Sequence, residues 1–296
     1  MNKHYSGFVA IVGRPNVGKS TLINALIGEK IAITSPKPQT TRHRIMGVLS
    51  KDNYQVVFID TPGMHKGKDL LNKTIDELAV DTLKDVDVIL FVVDKRIGNA
   101  ERHIINYFSN LKTPIYLVVN KIDLLKSKSQ IDEIILSYIS EFNFKGVFPI
   151  SATNKTHLEH LEKEIVNNLE EGPMYFPESQ ITDQSEEKLM AEFIRERILF
   201  HSEQEVPHAT TVMIESILVN KELNTVDVSA LIIVERKSQK QILIGKNGEK
   251  MKQIGTEARK EINKRFNTKI HLTLWVKVKK DWRNRISDIR QFGYGD

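Results

Sequence analysis

Gly13-Arg-Pro-Asn-Val-Gly18-Lys19-Ser20 directly follows the apolar run FVAIVG (8–13) and precedes a helix-patterned stretch. The spacing is G-x-x-x-x-G-K-S, a loop whose small residues let backbone N–H groups close around phosphate oxygens at a helix N-terminus. Lys19 is placed to reach β and γ phosphates, and the Ser20 hydroxyl to bind Mg²⁺. Further apolar runs stand at 54–60 (YQVVFID), 87–94 (DVILFVVD), 115–120 (IYLVVN) and 147–150 (VFPI). Four of the five runs are nearly continuous and β-branched, as strands buried on both faces must be, and helical patterns fall between them. The first part of the chain therefore predicts an α/β P-loop fold, a doubly wound and mostly parallel sheet with its ligand at the carboxyl ends of the strands.

Every other motif occurs at such a strand end. In Asp60-Thr61-Pro62-Gly63 the carboxylate can hold a metal through water, and the Gly63 N–H can sense a γ-phosphate. In Asn120-Lys121-Ile122-Asp123 the aspartate can accept from the N1–H and the amino group of guanine. Adenine has neither donor, so against ATP this carboxylate, expected to be buried, would be left unpaired at a cost of roughly several kcal/mol. Ser151-Ala152 can offer a backbone N–H to guanine O6. Each short motif is weak alone, but four in this order after four strands select GTP over ATP. The expected nucleotide site is thus Gly13, Arg14, Pro15, Asn16, Val17, Gly18, Lys19, Ser20, Thr21, Asp60, Thr61, Pro62, Gly63, Met64, Asn120, Lys121, Ile122, Asp123, Ser151 and Ala152. Lys19, Gly63 and Asn16 carry catalytic assignments, and Ser20 and Asp60 metal assignments.

The 296 residues are about twice a typical domain. Pro173 and Pro177 interrupt the α/β pattern in EGPMYFPESQITD, so a linker is expected at 173–184 between domains 1–172 and 185–296. Asp183 and Glu186 look like a capping pair for a helix striped by Leu189, Met190, Phe193, Ile194 and Ile198. The period then changes to two, at Val226–Val234 and again at Ile270–Val278, with a helix marked by Met251, Ile254, Ala258, Ile262 and Phe266 between them. The second domain reads α-β-β-α-α-β. Its charge is concentrated: Arg236 to Arg283 holds 15 Lys/Arg against four Asp/Glu, whereas residues 1–235 carry 26 basic and 32 acidic groups. Such a block is a footprint for a polyanion, either nucleic acid or an anionic membrane surface. Inside it, Gly245-Lys246-Asn247-Gly248 joins two helices. That placement is the KH arrangement, in which the loop clamps about four nucleotides of single strand. Lys246 adds charge there, and Lys250 and Lys252 continue it along the next helix. Trp275 is open to two readings, a base-stacking ring or a cover for the domain edge.

There are no cysteines, which excludes disulfides and thiolate metal sites and suits a reducing compartment. His157 and His160 share helical spacing but lack further ligands. The start, MNKHYSGFVAIVGRPN, has too short an apolar run for a signal peptide, and no run approaches the ~20 apolar residues of a membrane span, so a cytoplasmic location is expected.

Residues 8–170 resemble the G domain of translation-factor-related GTPases. Pro38-Gln39-Thr40-Thr41-Arg42-His43 and GRPNVGKST narrow the resemblance to the Era family, and IHLTLWVKVKKDW with QFGYGD is similar to the end of that family. The resemblance covers essentially the whole chain and implies a type II KH core at about 201–280. It implies a switch segment in which Thr40 or Thr41 ligates Mg²⁺ only with GTP bound, and the sequence leaves both open. It implies binding of the 3′ end of small-subunit rRNA, a role in rRNA maturation and small-subunit biogenesis, a monomer, and peripheral association with the inner membrane. The competing reading is a membrane-associated GTPase switch whose basic domain reads anionic lipid. Two departures from the Ras pattern matter. Met64 stands where a water-positioning glutamine would be, which implies slow intrinsic hydrolysis. Asn16 stands where relatives hold K⁺, a cation able to replace an arginine finger.

Overall fold

The computed structural model describes residues 3–37, 40–64 and 69–294. The chain divides into two compact units at Asp183/Gln184, with 35–37, Thr40 and 69–72 grouped with the second.

The first unit runs β1 (Tyr5–Val12), α1 (Lys19–Ile27), β2 (Ile45–Lys51), β3 (Tyr54–Asp60), α2 (Leu70–Asp81), β4 (Val88–Val93), α3 (Asn99–Phe108), β5 (Ile115–Val119), α4 (Lys128–Ile139), β6 (Gly146–Pro149), α5 (Leu158–Asn167) and β7 (Glu170–Glu171). The sheet order is β2-β3-β1-β4-β5-β6, with β7 antiparallel to the start of β1. All other pairs are parallel except β2 with β3. Alternate residues of one strand feed two cores. Val88, Leu90 and Val92 pack on one face with Leu22, Leu161 and Ile165. Ile89, Phe91 and Val93 pack on the other with Phe108 and Tyr138. Each fully buried Val, Leu or Phe contributes about 1.5–3 kcal/mol, so the doubly covered strands fix the sheet. The parallel strands all end on one edge, and the register pairs Ile11 with Asp60 there.

Three features differ from the sequence reading. β2 carries Gly47, Ser50 and Lys51 among its apolar residues, as an edge strand tolerates, and so lacks the continuous run that marks its neighbours. Residues 173–183 are pinned to this unit. The Val48 N–H donates to Ile181 O at 2.9 Å, and Thr182 Oγ1 donates to Met46 O at 2.8 Å. The fully buried Gln55 carboxamide takes the Tyr175 and Phe176 N–H groups and donates back to Phe176 O. Asp183 does not cap the following helix; its carboxylate accepts from Met46 N–H, and Ser185 is the cap, accepting from Lys188 N–H at 3.3 Å.

The second unit contains α6 (Glu186–His201), β8 (Thr211–Asn220), β9 (Thr225–Val234), α7 (Lys237–Ile244), α8 (Glu249–Phe266), β10 (Ile270–Val278) and α9 (Ile286–Gln291). This is the α-β-β-α-α-β order, with one more helix. β9 is central, antiparallel to β8 and parallel to β10. Val228, Ala230, Ile232 and Val234 are buried on the helix side, as are Ile254, Ala258 and Ile262 of α8. The tail locks onto the unit: Trp282 is fully buried, donates to Ala209 O at 3.0 Å and packs against Phe292 and Tyr294.

Candidate functional site

The phosphate loop leaves β1 at Gly13 and enters α1 at Lys19. Gly18 has φ +96°, and a Cβ there would lie 2.3 Å from Asn120 Nδ2, so both the dihedral and the space demand glycine. Gly63 lies equally close to the loop, where a Cβ would meet the Pro15 backbone at 2.7 Å. Asn16 takes φ +66°. Lys19 is buried, and its Nζ donates to Gly13 O at 3.2 Å and Arg14 O at 3.0 Å. Burial pulls its ammonium down to about 8, against the attraction of Asp60.

Three oxygens converge beside this lysine. Ser20 Oγ donates to Asp60 Oδ2 at 2.7 Å and lies 2.8 Å from Thr41 Oγ1, which itself lies 3.2 Å from Asp60 Oδ2. Asp60 is fully buried, and its Oδ1 has no hydrogen-bond partner among the described residues. Burial raises its pKa, while Lys19 and the two hydroxyls oppose the rise. An all-oxygen set with an unsatisfied buried carboxylate oxygen fits a hard divalent cation such as Mg²⁺. Thr40, the alternative, turns its hydroxyl to Lys37 O at 2.6 Å. Pro38 and Gln39 of the switch motif, and positions 65–68 after Met64, lie outside the described residues.

The base end is organised by Asn120. Its Nδ2 donates to Val17 O at 2.9 Å, its Oδ1 accepts from the Ala152 N–H at 3.0 Å, and its own N–H bonds Val93 O at 2.7 Å. Lys121, at φ +62°, sends Nζ to Asn16 O and to Asp94 Oδ2 at 2.7 Å. The Ile122 N–H bonds Ile150 O, which brings Asp123 to the end of β6. The Asp123 carboxylate is exposed rather than buried, so without a base it is solvated and not stranded; it makes no hydrogen bond among the described residues and is open to a guanine. The sequence assigned the Ser151-Ala152 amides to guanine O6. Here Ser151 N–H bonds Thr156 O, and Ala152 N–H is held by the Asn120 carboxamide.

Sequence reasoning missed two carboxylates. Arg14 is gripped by Glu101, a buried residue that also accepts from Gly98 N–H at the start of α3, and by Asp94 at 3.4 Å. Asp94 is only the last letter of the run 87–94, and Glu101 belongs to no motif. Met64 is 4 % exposed in the core with Val12 and Phe91, so its side chain is not a nucleotide contact; Thr61 likewise bonds Ile11 O. His157 Nδ1 bonds Pro149 O, and among the described residues no cluster of three metal-ligating side chains occurs.

In the second unit, Gly245 (φ +73°), Asn247 (φ +52°) and Gly248 (φ +78°) form a left-handed turn that opens directly into α8. A Cβ on Gly245 would meet Lys250 Cβ at 2.8 Å, whereas at Gly248 the space is open and the dihedral alone demands glycine. Lys246 and Asn247 are exposed at the tip, and no side chain caps α8. Its first N–H groups and partial positive charge therefore face the turn. Next to it runs a groove of about 510 Å³ lined by Ile244, Gly248, Met251, Lys252, Gly255, Thr256, Arg259, Leu272 and Leu274. It has an apolar floor and a cationic rim.

Residues 8–121 match the family model of the 50S ribosome-binding GTPase, and residues 205–283 match the KH domain. The chain is 52% identical over 293 residues to GTPase Era of Clostridioides difficile, covering 98% of this chain and 99% of that one. It is 48% identical over 291 residues to GTPase Era of Caldanaerobacter subterraneus, covering 98% and 97%. The structure of Era in complex with MgGDPNP and nucleotides 1506–1542 of 16S ribosomal RNA matches with a TM-score of 0.95 at 38% identity, over 99% of this chain and 100% of that one. A variant of Aquifex aeolicus Era bound to GDP and AlF₄⁻ matches with the same TM-score, identity and coverage.

Removing the Asn120 carboxamide strands Val17 O and Ala152 N–H together. At about 1–1.5 kcal/mol for each of the two buried hydrogen bonds, Asn120→Ala should weaken GDP binding by about 30–150-fold with the far-ultraviolet circular dichroism unchanged. Calorimetric affinity equal to that of the parent would remove Asn120 from its organising role.

Proposed function

The chain belongs to the Era family of GTPases, and we propose that it couples GTP hydrolysis to binding of the single-stranded 3′ end of small-subunit 16S ribosomal RNA, in rRNA processing and assembly of the small subunit. It is a GTP hydrolase with a KH domain. The observation that supports the RNA reading best is the Gly245–Gly248 turn opening into α8 beside a groove with an apolar floor and a cationic rim. Bases would lie on the floor, and phosphates would approach the turn, where Cβ atoms are excluded.

For hydrolysis, Lys19 and the phosphate-loop N–H groups neutralise charge that grows between the β and γ phosphates. Gly63, packed on Pro15, brings its N–H to the γ-phosphate end, and Asp123 reads guanine. Ser20, Thr41 and Asp60 would hold Mg²⁺, which supplies charge neutralisation at the same oxygens. Thr41 is favoured over Thr40 because its hydroxyl already meets Ser20 and Asp60. The Met64 side chain is buried in the core and orients no water, so intrinsic turnover is slow. Asn16 is assigned to bind a potassium ion beside the phosphates, in the place an arginine finger fills elsewhere.

Steady-state hydrolysis tests these assignments. The rate should be several-fold higher in KCl than in NaCl at equal ionic strength, Asn16→Ala should erase that difference, and Thr41→Ala should cost more rate than Thr40→Ala. Equal rates in the two salts would leave Asn16 a loop residue only.

The RNA reading is tested by the exposed tip of the turn. Lys246→Asp combined with Asn247→Asp should abolish single-stranded RNA binding in a fluorescence titration and leave GDP affinity intact. Lys250→Ala should weaken all sequences modestly and lower the salt slope by about 0.7. Full RNA affinity in the double variant, with binding to phosphatidylserine vesicles retained, would favour the anionic-lipid reading.

A further inference from the structure

The sheet of the second unit has an outer face, opposite α6 and α8, that neither the nucleotide site nor the groove uses. Along β10 the side chains alternate. Leu272 and Leu274 point inward and floor the groove, while Thr273, Trp275 and Lys277 point outward. Register aligns Met213, Leu231 and Trp275 in one row across the three strands. Trp275 is 60% exposed, which for an indole is a large uncovered apolar area. The other tryptophan, Trp282, is fully buried, so Trp275 is not needed to complete the interior.

β10 is an edge strand, paired only with β9 among the described residues. One strand therefore separates the groove from the exposed indole. Lys277, two residues on, is exposed and forms no ion pair among the described residues. The remaining charges of this face are accounted for. His271 lies 3.7 Å from Asp227, Lys279 pairs with Asp288 at 2.8 Å, and Glu215 sits at the bulge of β8.

We propose that Trp275 is a stacking platform for one further base of the RNA strand held in the groove, lying beyond the four or so nucleotides that the glycine turn clamps, with Lys277 binding the adjoining phosphate. The strand would cross the β10 edge from the inner to the outer face. The proposal rests on the reading of the groove as an RNA site. A protein partner fits less well. The cavity of about 460 Å³ on this face, lined by Met213, Leu231, Ile233 and Phe292, is bordered by Glu215, Lys277 and Lys279, and the exposed Leu218 is set apart from the indole by the row Ser216, Ser229 and Thr273, so the apolar area is broken up by polar and charged groups. One ring with one cation is enough for a nucleotide, and stacking tolerates any base.

The test uses the full chain and two RNAs from the 3′ end of small-subunit rRNA, one of four nucleotides that fills the groove and one of about twelve. The twelve-mer should bind more tightly and quench tryptophan fluorescence, and the four-mer should not quench. Trp275→Phe should abolish the quench, since only buried Trp282 remains, and keep twelve-mer affinity within about threefold. Trp275→Ala should weaken the twelve-mer by about tenfold or more and leave four-mer binding and GTP hydrolysis unchanged. The double variant Lys246→Asp with Asn247→Asp separates the two ideas. If it keeps four-mer binding, the groove reading falls and this proposal falls with it. If it loses the four-mer while Trp275→Ala keeps the twelve-mer at full strength, the proposal alone is overturned and the indole belongs to a protein surface.

Discussion

The Asn120 carboxamide, 2% exposed, spends both of its ends on backbone, donating to Val17 O in the phosphate loop and accepting from Ala152 N–H in the loop after β6. Those two loops are far apart in sequence, one at the phosphate end and one at the base end of the proposed nucleotide site. Through one side chain they become a single rigid frame, and Gly18 must lack a Cβ to let that side chain in. Lys121 adds a second tie, from the phosphate loop to Asp94 at the end of β4. Arg14 adds a third, through Glu101 to α3. The sheet supplies the rest by ending its parallel strands on one edge, so that Asp60, Asn120 and the phosphate loop need only short loops to meet.

Charge at this edge follows from burial. An ammonium and a carboxylate collected inside protein are both pushed toward neutrality, Lys19 downward and Asp60 upward. A polyphosphate with a divalent cation reverses both pushes, because it offers Lys19 an anion and Asp60 a cation. The second unit uses backbone instead. At Gly245–Gly248 it places three left-handed residues where a polyanion can approach main-chain N–H groups, and sets cations on the rim rather than in the core.

How much of this the sequence carried depended on whether a feature leaves a period. β4 reads as a strand because both faces are buried and every residue must be apolar. β2 does not, since an edge strand admits Gly47, Ser50 and Lys51. The segment 173–183 looks like a linker because backbone hydrogen bonds to Met46 and Val48 and the Gln55 carboxamide hold it, and none of these has a periodic signature. The four nucleotide motifs were legible from residue type and spacing alone. Their mutual wiring was not: nothing in the letters says that Ala152 N–H belongs to Asn120, or that Thr41 rather than Thr40 faces Ser20. Adjacent residues diverge in direction, and only geometry separates them. Single carboxylates such as Glu101 carry no pattern at all.

The account stands on the claim that Asn120 joins the two loops before any nucleotide arrives. Amide hydrogen exchange at Ala152, followed by NMR in nucleotide-free protein, reads that bond directly. Protection comparable to that of the sheet amides of β5, lost in Asn120→Ala, is the result expected. Exchange as fast as that of the exposed turn amides, unaffected by the substitution, would contradict it.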